Sequence, residues 1–297
     1  MSTANRPTSI EQMRATRARF DNSEGRRLGL AYRPSADDVF IATFPKCGTT
    51  WTQQILHALR TRGSMDFDEI TAVVPWLEMA HALGMDPNAP QVAQPKVFKT
   101  HLSYEEVPKG GRYVHVMRDP LDVLVSHYHF HEGWFFEPGS IDLATHARET
   151  FLARPMGYWE FLLSWWPHRH DTEVLFLAYE DMLADPRGSV RRLAEHIGCA
   201  LDPALVDIVV ERSSLSFMKR HAAQFDDHLI RQVIDAACGL PEGSDSSKVR
   251  SGTAGEGKSR VPAEIVELLE QRWRASIGAK LGFQDYAALR EALAAGR

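Results

Sequence analysis

Three short groups of residues have types and spacings that could do chemistry. Lys46 and Gly48 stand between an apolar run, Val39 to Phe44, and a helix-forming stretch that opens with Thr49 and Thr50. Lys99 and His101 close a second apolar run that starts at Pro95. Arg118 follows a third, Arg112 to Met117, and Ser126 lies on the first turns of the segment after it. A strand that ends in a cation and leads into a helix is an anion cradle, because free N–H groups at the helix start point at the ligand. The chain has two such junctions, at Lys46 and at Arg118, and they fit a ligand phosphorylated at two places. A hydroxyl at Ser126 can reach an anion held by Arg118. His101 sits at a strand end beside Lys99, where an imidazole can take a proton from a reacting group.

The elements that must hold these groups are legible in the hydrophobic pattern. Pro45 stops the first strand because it has no N–H to give the ladder, and Gly48 permits a tight turn. Trp51, Ile55, Leu56 and Leu59 then fall on one helical face. Asp119 and Pro120 predict a second helix start, with Leu121, Leu124, Val125 and Tyr128 as its buried face. A fourth strand runs from Val174 and ends at Tyr179. Helices are expected over Pro186 to His196, Asp202 to about Ser213, and Ala263 to Leu281. Residues 1–30 read as a polar segment, helix or tail. The stretch Gly63 to Pro95, with its four prolines, reads either as a lid or substrate wall or as a surface loop with a helix turn packed on the core. Residues 240–260, rich in Gly, Ser and charge, read as a mobile loop. No repeat or linker divides the chain. The fold class is α/β: a single domain over residues 1–297, with a central parallel sheet flanked by helices and a P-loop NTPase-like topology.

Composition narrows the partners. In 297 residues the net charge is -5, which gives no general attraction to nucleic acid or anionic membrane, so an anion site must be local. Three cysteines, Cys47, Cys199 and Cys238, are too few and scattered for a disulfide framework or a zinc knuckle. The first residues lack a signal-peptide core, and no apolar stretch approaches the roughly 20 residues of a membrane span. A cytoplasmic protein with reduced thiols is expected. His127 and His131 are spaced i, i+4, but no acidic residue stands between them as in H-E-x-x-H, so packing and surface roles are expected and no metal.

The first junction is not a Walker A loop, because Lys46 precedes the single Gly48. Pro45-Lys46-Cys47-Gly48-Thr49-Thr50-Trp51 instead resembles the 5′-phosphosulfate loop of the cytosolic-type sulfotransferases, with Cys47 in place of the usual Ser. Lys99-Thr100-His101 resembles that family's catalytic Lys-Thr-His, and Arg118 to Phe130 resembles its 3′-phosphate motif. The match covers about residues 35 to 270.

The resemblance implies a donor, 3′-phosphoadenosine 5′-phosphosulfate (PAPS), with 3′-phosphoadenosine 5′-phosphate (PAP) as product. Lys46, Cys47, Gly48, Thr49 and Thr50 would hold its 5′ end, and Trp51 would stack on adenine. Tyr179 occupies the place of a nucleotide-contacting tyrosine. Ser213 lies where the family lines the adenine side, with Leu215 for a phenylalanine. Arg118, Ser126, Arg250, Ser251 and Gly252 would hold the 3′-phosphate, Ser251 replacing a lysine and Gly257 a tryptophan. The usual dimer motif loses its centre at Pro262-Ala263, so no dimer is inferred. His101 would be the general base, with Lys46 and Lys99 assisting on the leaving oxygen and the sulfonate. Sulfuryl transfer needs no magnesium on this reading, because a single sulfonate carries less charge than a triphosphate tail. The aromatic residues around Trp134 to Phe136 favour an apolar, aromatic or lipid-like alcohol as acceptor, an amine being a second option. Two other readings are a P-loop kinase of a small metabolite and a nucleotide-binding protein without activity. The missing Walker A loop disfavours the first. Lys46, Lys99 and His101 together disfavour the second.

Overall fold

The protein is described from a computed structural model, which covers residues 5–243 and 252–296. Four strands form one sheet: β1 (Val39–Thr43), β2 (Val97–Thr100), β3 (Arg112–Met117) and β4 (Val174–Ala178). Their order is β2-β1-β3-β4, and all pairings are parallel, with Val39 opposite both Val97 and Arg112. A parallel sheet is covered on both faces, so its strands are apolar throughout rather than alternating. Alternate side chains feed two different layers.

One face is aromatic. Phe40, Phe98, Tyr113 and Phe176 pack there with Tyr158, Trp159, Phe161 and Trp165 of the helix Tyr158–Trp165, and with Ile265 and Trp273 further on. The other face is aliphatic. Val39, Ile41, Val97, Val114, Val116 and Leu177 meet Ile55, Leu56 and Leu59 of the helix Thr49–Thr61, and Val190 and Leu193 of the helix Pro186–Ile197. Burying one such side chain is worth roughly 1.5–3 kcal/mol, so both layers hold the sheet firmly. His115 sits on the aromatic face, its ring 4.1 Å from that of Phe176. Burial drives it down to about 3, so it is a neutral core side chain.

A third, smaller cluster lies apart from the sheet. It joins Met13 of the helix Ile10–Arg17, Met79, Trp134, Phe135, Phe136, Ile141, and Ile230 and Cys238 of the helix His228–Cys238. Its segments are far apart in sequence, and none is a strand.

Several boundaries differ from the sequence-based expectation. Residues Thr8 to Arg27 form two short helices, Ile10–Arg17 and Ser23–Leu30, the first capped by Ser9. Tyr179 does not end β4 but begins the helix Tyr179–Ala184, since the strand has no ladder partner beyond Ala178. The segment 63–95 contains the helical turn Ile70–Val73 and two 3-10 turns. The expected helix from Ala263 to Leu281 stays regular only to Trp273, then widens into a π turn, Arg274–Gly278. A last helix, Tyr286–Ala295, was not foreseen. Asp285 caps it, and it is docked by Tyr286, whose hydroxyl donates to Glu180, and by an Arg290–Asp181 ion pair. Within 240–260, the residues Gly257–Arg260 form a helical turn, while 244–251 lie outside the described residues. Among the described residues, no helix is long and apolar enough to cross a membrane.

Candidate active site

Each strand delivers one chemical group at its carboxyl end, the edge where open parallel sheets place ligands. Lys46 follows β1, His101 follows β2, Arg118 follows β3 and Tyr179 follows β4. All four line one cavity of about 530 Å³. A larger hollow of about 990 Å³ lies at the opposite, amino-terminal edge, among Gly110, Gly111, Arg112 and Glu173. It gathers none of the residues just named, so size alone does not mark the site.

The loop after β1 is shaped for close approach. Lys46 has φ 72 and Gly48 φ 93, both in the left-handed region. That conformation is ordinary for glycine but costs a lysine free energy, and such strain concentrates at functional positions. A Cβ at Gly48 would lie 2.9 Å from the Tyr179 ring, so the side chain must be absent. Gly48 is the N-cap of the helix Thr49–Thr61, and among the described residues no side chain caps that first turn. Its N–H groups therefore face the cavity edge as an anion site. Thr43 and Thr49 share a hydroxyl hydrogen bond of 2.6 Å that ties the strand to the helix start. Cys47 goes elsewhere. Its side chain is fully buried in the aromatic layer, its thiol pushed up by burial, and its N–H donates to Phe44 O.

The second junction works differently. Asp119 caps the helix Pro120–His131, its carboxylate accepting from Leu121 N at 2.8 Å. Asp119 thus takes one of the free N–H groups of that helix start, and Arg118 supplies the charge at this junction. The Arg118 guanidinium lies 4.2 Å over the Tyr179 ring and donates to Lys46 O and Thr253 O, each at 3.2 Å. Its Nε is buried without a partner among the described residues. Asp122, one turn on, ion-pairs with Arg118 at 3.8 Å and accepts from Gly255 N and Gly257 N at 2.7 Å each. One carboxylate thus fastens the returning loop to the cation. Gly257, which the sequence reading counted as a departure, suits this contact: a Cβ there would lie 2.5 Å from Leu121 C and 2.8 Å from Asp122 N.

Trp51 packs edge-on to Tyr179, ring centroids 5.5 Å apart. Both line the cavity with Ser126, Ser213, Ser214, Leu215 and Gly252. The Ser213 hydroxyl donates to Val209 O of its own helix. Of the residues expected to meet the nucleotide, Lys46, Gly48, Thr49, Thr50, Trp51, Arg118, Ser126, Tyr179, Ser213 and Gly252 converge here, and Cys47 does not. Arg250 and Ser251 lie outside the described residues.

His101 is held from both sides. Its backbone N–H donates to Glu78 Oε1 at 2.9 Å, and its Nδ1 lies 2.7 Å from Thr43 O. A carbonyl can only accept, so Nδ1 carries the proton and the lone pair of the neutral ring is on Nε2. That is the tautomer a general base needs. Glu78 is buried, and burial raises its carboxyl. Trp76 packs edge-on to the His101 ring at 5.1 Å, and Lys99 Nζ lies 4.3 Å over the same indole. Lys46 Nζ lies 4.1 Å over the Phe130 ring. The segment read as a substrate wall thus contributes Trp76 and Glu78. Trp134 and Phe135 also line the cavity, whereas Phe136 is core.

Sequence reasoning missed the far end. Arg17 and Arg154 line the cavity beside His127, His131 and Ile234. Neither arginine follows a strand, and no local motif marks them. His146, also unflagged, completes a buried trio with His127 and His131, whose ligand atoms lie within 4.8 Å of one another. Burial holds His146 at about 3, and His127 and His131 well below the usual range.

A family model described as a sulfotransferase domain matches residues 36–281. Sulfotransferase 1A1 of Bos taurus is 30% identical over 265 residues, covering 84% of this chain and 86% of its own. Sulfotransferase 1B1 of Canis lupus familiaris is 32% identical over 241 residues, covering 75% and 77%. Among solved structures, retinol dehydratase with androsterone and PAP superposes with a TM-score of 0.65 at 21% identity, over 86% of this chain and 83% of that one. Mouse sulfotransferase SULT7A1 with PAP gives 0.64 at 18%, over 98% and 95%. The structures share the fold, and the domain match and the two relatives carry the assignment: the chain belongs to the cytosolic sulfotransferase family.

Proposed function

We propose that this protein moves the sulfuryl group of PAPS to a hydroxyl of an apolar or aromatic acceptor, with His101 as general base and without a metal ion. Family membership makes the chemistry PAPS-dependent sulfuryl transfer. When bound, the donor supplies the sulfuryl group and leaves as PAP.

The residues present fit such a donor. The uncapped start of the helix Thr49–Thr61, with Lys46, suits the 5′ end, and the Arg118 guanidinium at the cavity wall suits the 3′-phosphate. Trp51, Tyr179 and Leu215 offer apolar surface to a base. Tyr179 and Lys46 O restrain the Arg118 guanidinium, which limits the ordering that binding must cost.

His101 Nε2 takes the acceptor proton as the oxygen attacks, while Thr43 O stabilises the imidazolium through Nδ1–H. Lys46 opposes charge developing on the leaving oxygen, and Lys99 does the same on the peripheral oxygens. Both ammonium groups are steered by aromatic faces, Phe130 and Trp76. Trp76, Trp134 and Phe135 wall the acceptor side and exclude water. The observation that carries the reading is the His101 Nδ1–Thr43 O contact, which fixes the basic tautomer in the same cavity as both lysines.

The test is transfer from PAPS to a simple phenol in the presence of a chelator, by the wild type and by His101→Ala. The variant should lose about 10²–10⁴ in kcat and keep its affinity for PAP. Transfer that persists in His101→Ala, or that needs a divalent ion, would contradict the proposal.

A further inference from the structure

Two cavities meet at one partition. The catalytic cavity and a second one, also about 530 Å³, share Arg17, His127, His131, Phe135, Arg154 and Ile234. The second is walled by Met13, Phe20, Ile234 and Cys238 and reaches Arg14 and Glu149. These six shared residues form a collar between the reacting end and the outer chamber.

Two of the six collar residues are arginines and none is acidic. Among the described residues, no carboxylate ion-pairs with Arg17 or Arg154. Arg17 lies 4.7 Å over the Phe135 ring, and Arg154 lies 5.8 Å from the Phe44 ring and 3.4 Å from His127 Nε2. Arg17 is drawn down to about 10, first by burial and then by repulsion from Arg154. Both side chains are exposed at the cavity wall, where their N–H groups are open to an entering anion, and two adjacent guanidiniums favour one. Of the charged residues lining the catalytic cavity, five are cations (Arg17, Lys46, Lys99, Arg118, Arg154) and one, Asp227, is acidic. A donor nucleotide accounts for Lys46 and Arg118, and the transferred group for Lys99. It does not account for the arginines of the collar.

The histidines point the same way. His127 Nδ1 and His146 Nδ1 are buried without hydrogen-bond partners among the described residues. His131 Nδ1 and His146 Nε2 are 3.2 Å apart and satisfy each other. Three neutral imidazoles could hold a divalent cation, but two neighbouring guanidiniums with no carboxylate oppose that charge.

Resting on the sulfotransferase reading, we propose that Arg17 and Arg154 bind an anionic group of the acceptor, so that the substrates of this protein are hydroxylated organic acids. The apolar body lies against Trp76, Trp134 and Phe135, the hydroxyl reaches His101, and a carboxylate or phosphate rests on the two guanidiniums.

The experiment is calorimetric titration into the PAP-saturated protein. The probes are (para-hydroxyphenyl)alkanoic acids of increasing chain length, their methyl esters, and the matching alkyl phosphates. Wild type, Arg17→Gln, Arg154→Gln and the double variant are compared. At the best chain length the acid or the phosphate should bind about tenfold or more tighter than the ester, and whichever anion wins identifies the group. The double variant should lose that preference while its PAP affinity, which also reports folding, is unchanged. Esters that bind as tightly as both anions at every length would overturn the proposal, as would a preference that survives in the double variant. So would one equivalent of zinc bound in wild type and lost in His146→Ala. PAP binding is read in the first titration, so its failure sinks the parent reading separately.

Discussion

The two ends of the catalytic cavity are built on different plans. The end proposed for the nucleotide is made by three contiguous strand-to-helix junctions, after β1, β3 and β4, on a sheet packed from both faces. The end proposed for the acceptor is assembled from pieces far apart in sequence: the helix Ile10–Arg17, the turn at Trp76 to Met79, the loop at Trp134, Arg154, and the helix His228–Cys238. The first plan fixes charges with rigid backbone and short hydrogen bonds. The second gathers aromatic and cationic side chains around a satellite cluster. A donor common to a family suits the first, and an acceptor particular to one protein suits the second.

That division can be broken by substitution. Lys46→Met should have the largest effect, a loss of about 10²–10³ in kcat, the scale seen when one transition-state charge partner is removed. Its acceptor KM should hardly move in steady-state kinetics. Trp76→Ala should act on the other end. Losing the wall that supports His101 and Lys99 should raise acceptor KM by about tenfold and leave PAP affinity unchanged by calorimetry. A parallel fall in PAP affinity would show that the ends are not separable. Gly257→Ala should weaken PAP by roughly tenfold, since its Cβ would displace the backbone at Leu121 and Asp122 and loosen the Asp122 bonds to Gly255 N and Gly257 N.

The smallest effect concerns neither end. Burial lowers His115 and His146 to about 3 and His57 to about 4, below the value near ~6.5 of an unfolded chain. Below pH ~6.5 the unfolded state takes up protons that the folded state does not. Stability present above that pH is therefore lost as pH falls toward the folded values, on the order of 1–2 kcal/mol per histidine by pH ~5. Thermal melts across that window should show the decline. His115→Phe, which keeps the stack on Phe176, should flatten it without changing PAP affinity.

The contrast also explains what the sequence revealed. Strands, helix starts and the residues that converge at the strand ends were legible because each is a local pattern: a β-branched run, a proline or cap, a cation at a fixed offset. Asp119 and Pro120 marked a helix start to the residue. Cys47 stands in the same loop as Lys46 and Gly48, yet its side chain turns into the aromatic layer, because position in a loop does not say which way a side chain turns. The end of β4 and the interruption after Trp273 were missed because ladder partners and helix widening are tertiary matters. Arg17, Arg154 and His146 carried no signal at all. Each is an ordinary surface-type residue in its own segment and acquires meaning only when packing brings the segments together.

The central claim is that the strand-end junctions of this sheet bind PAP. Calorimetric titration of PAP, with a chelator present, into wild type, Lys46→Ala and Arg118→Ala tests it most directly. The account predicts one site per chain in the wild type and a loss of about tenfold or more in each variant, in keeping with charged hydrogen bonds of ~1.5–3 kcal/mol. No binding to the wild type, or binding only of ATP with magnesium, would contradict it.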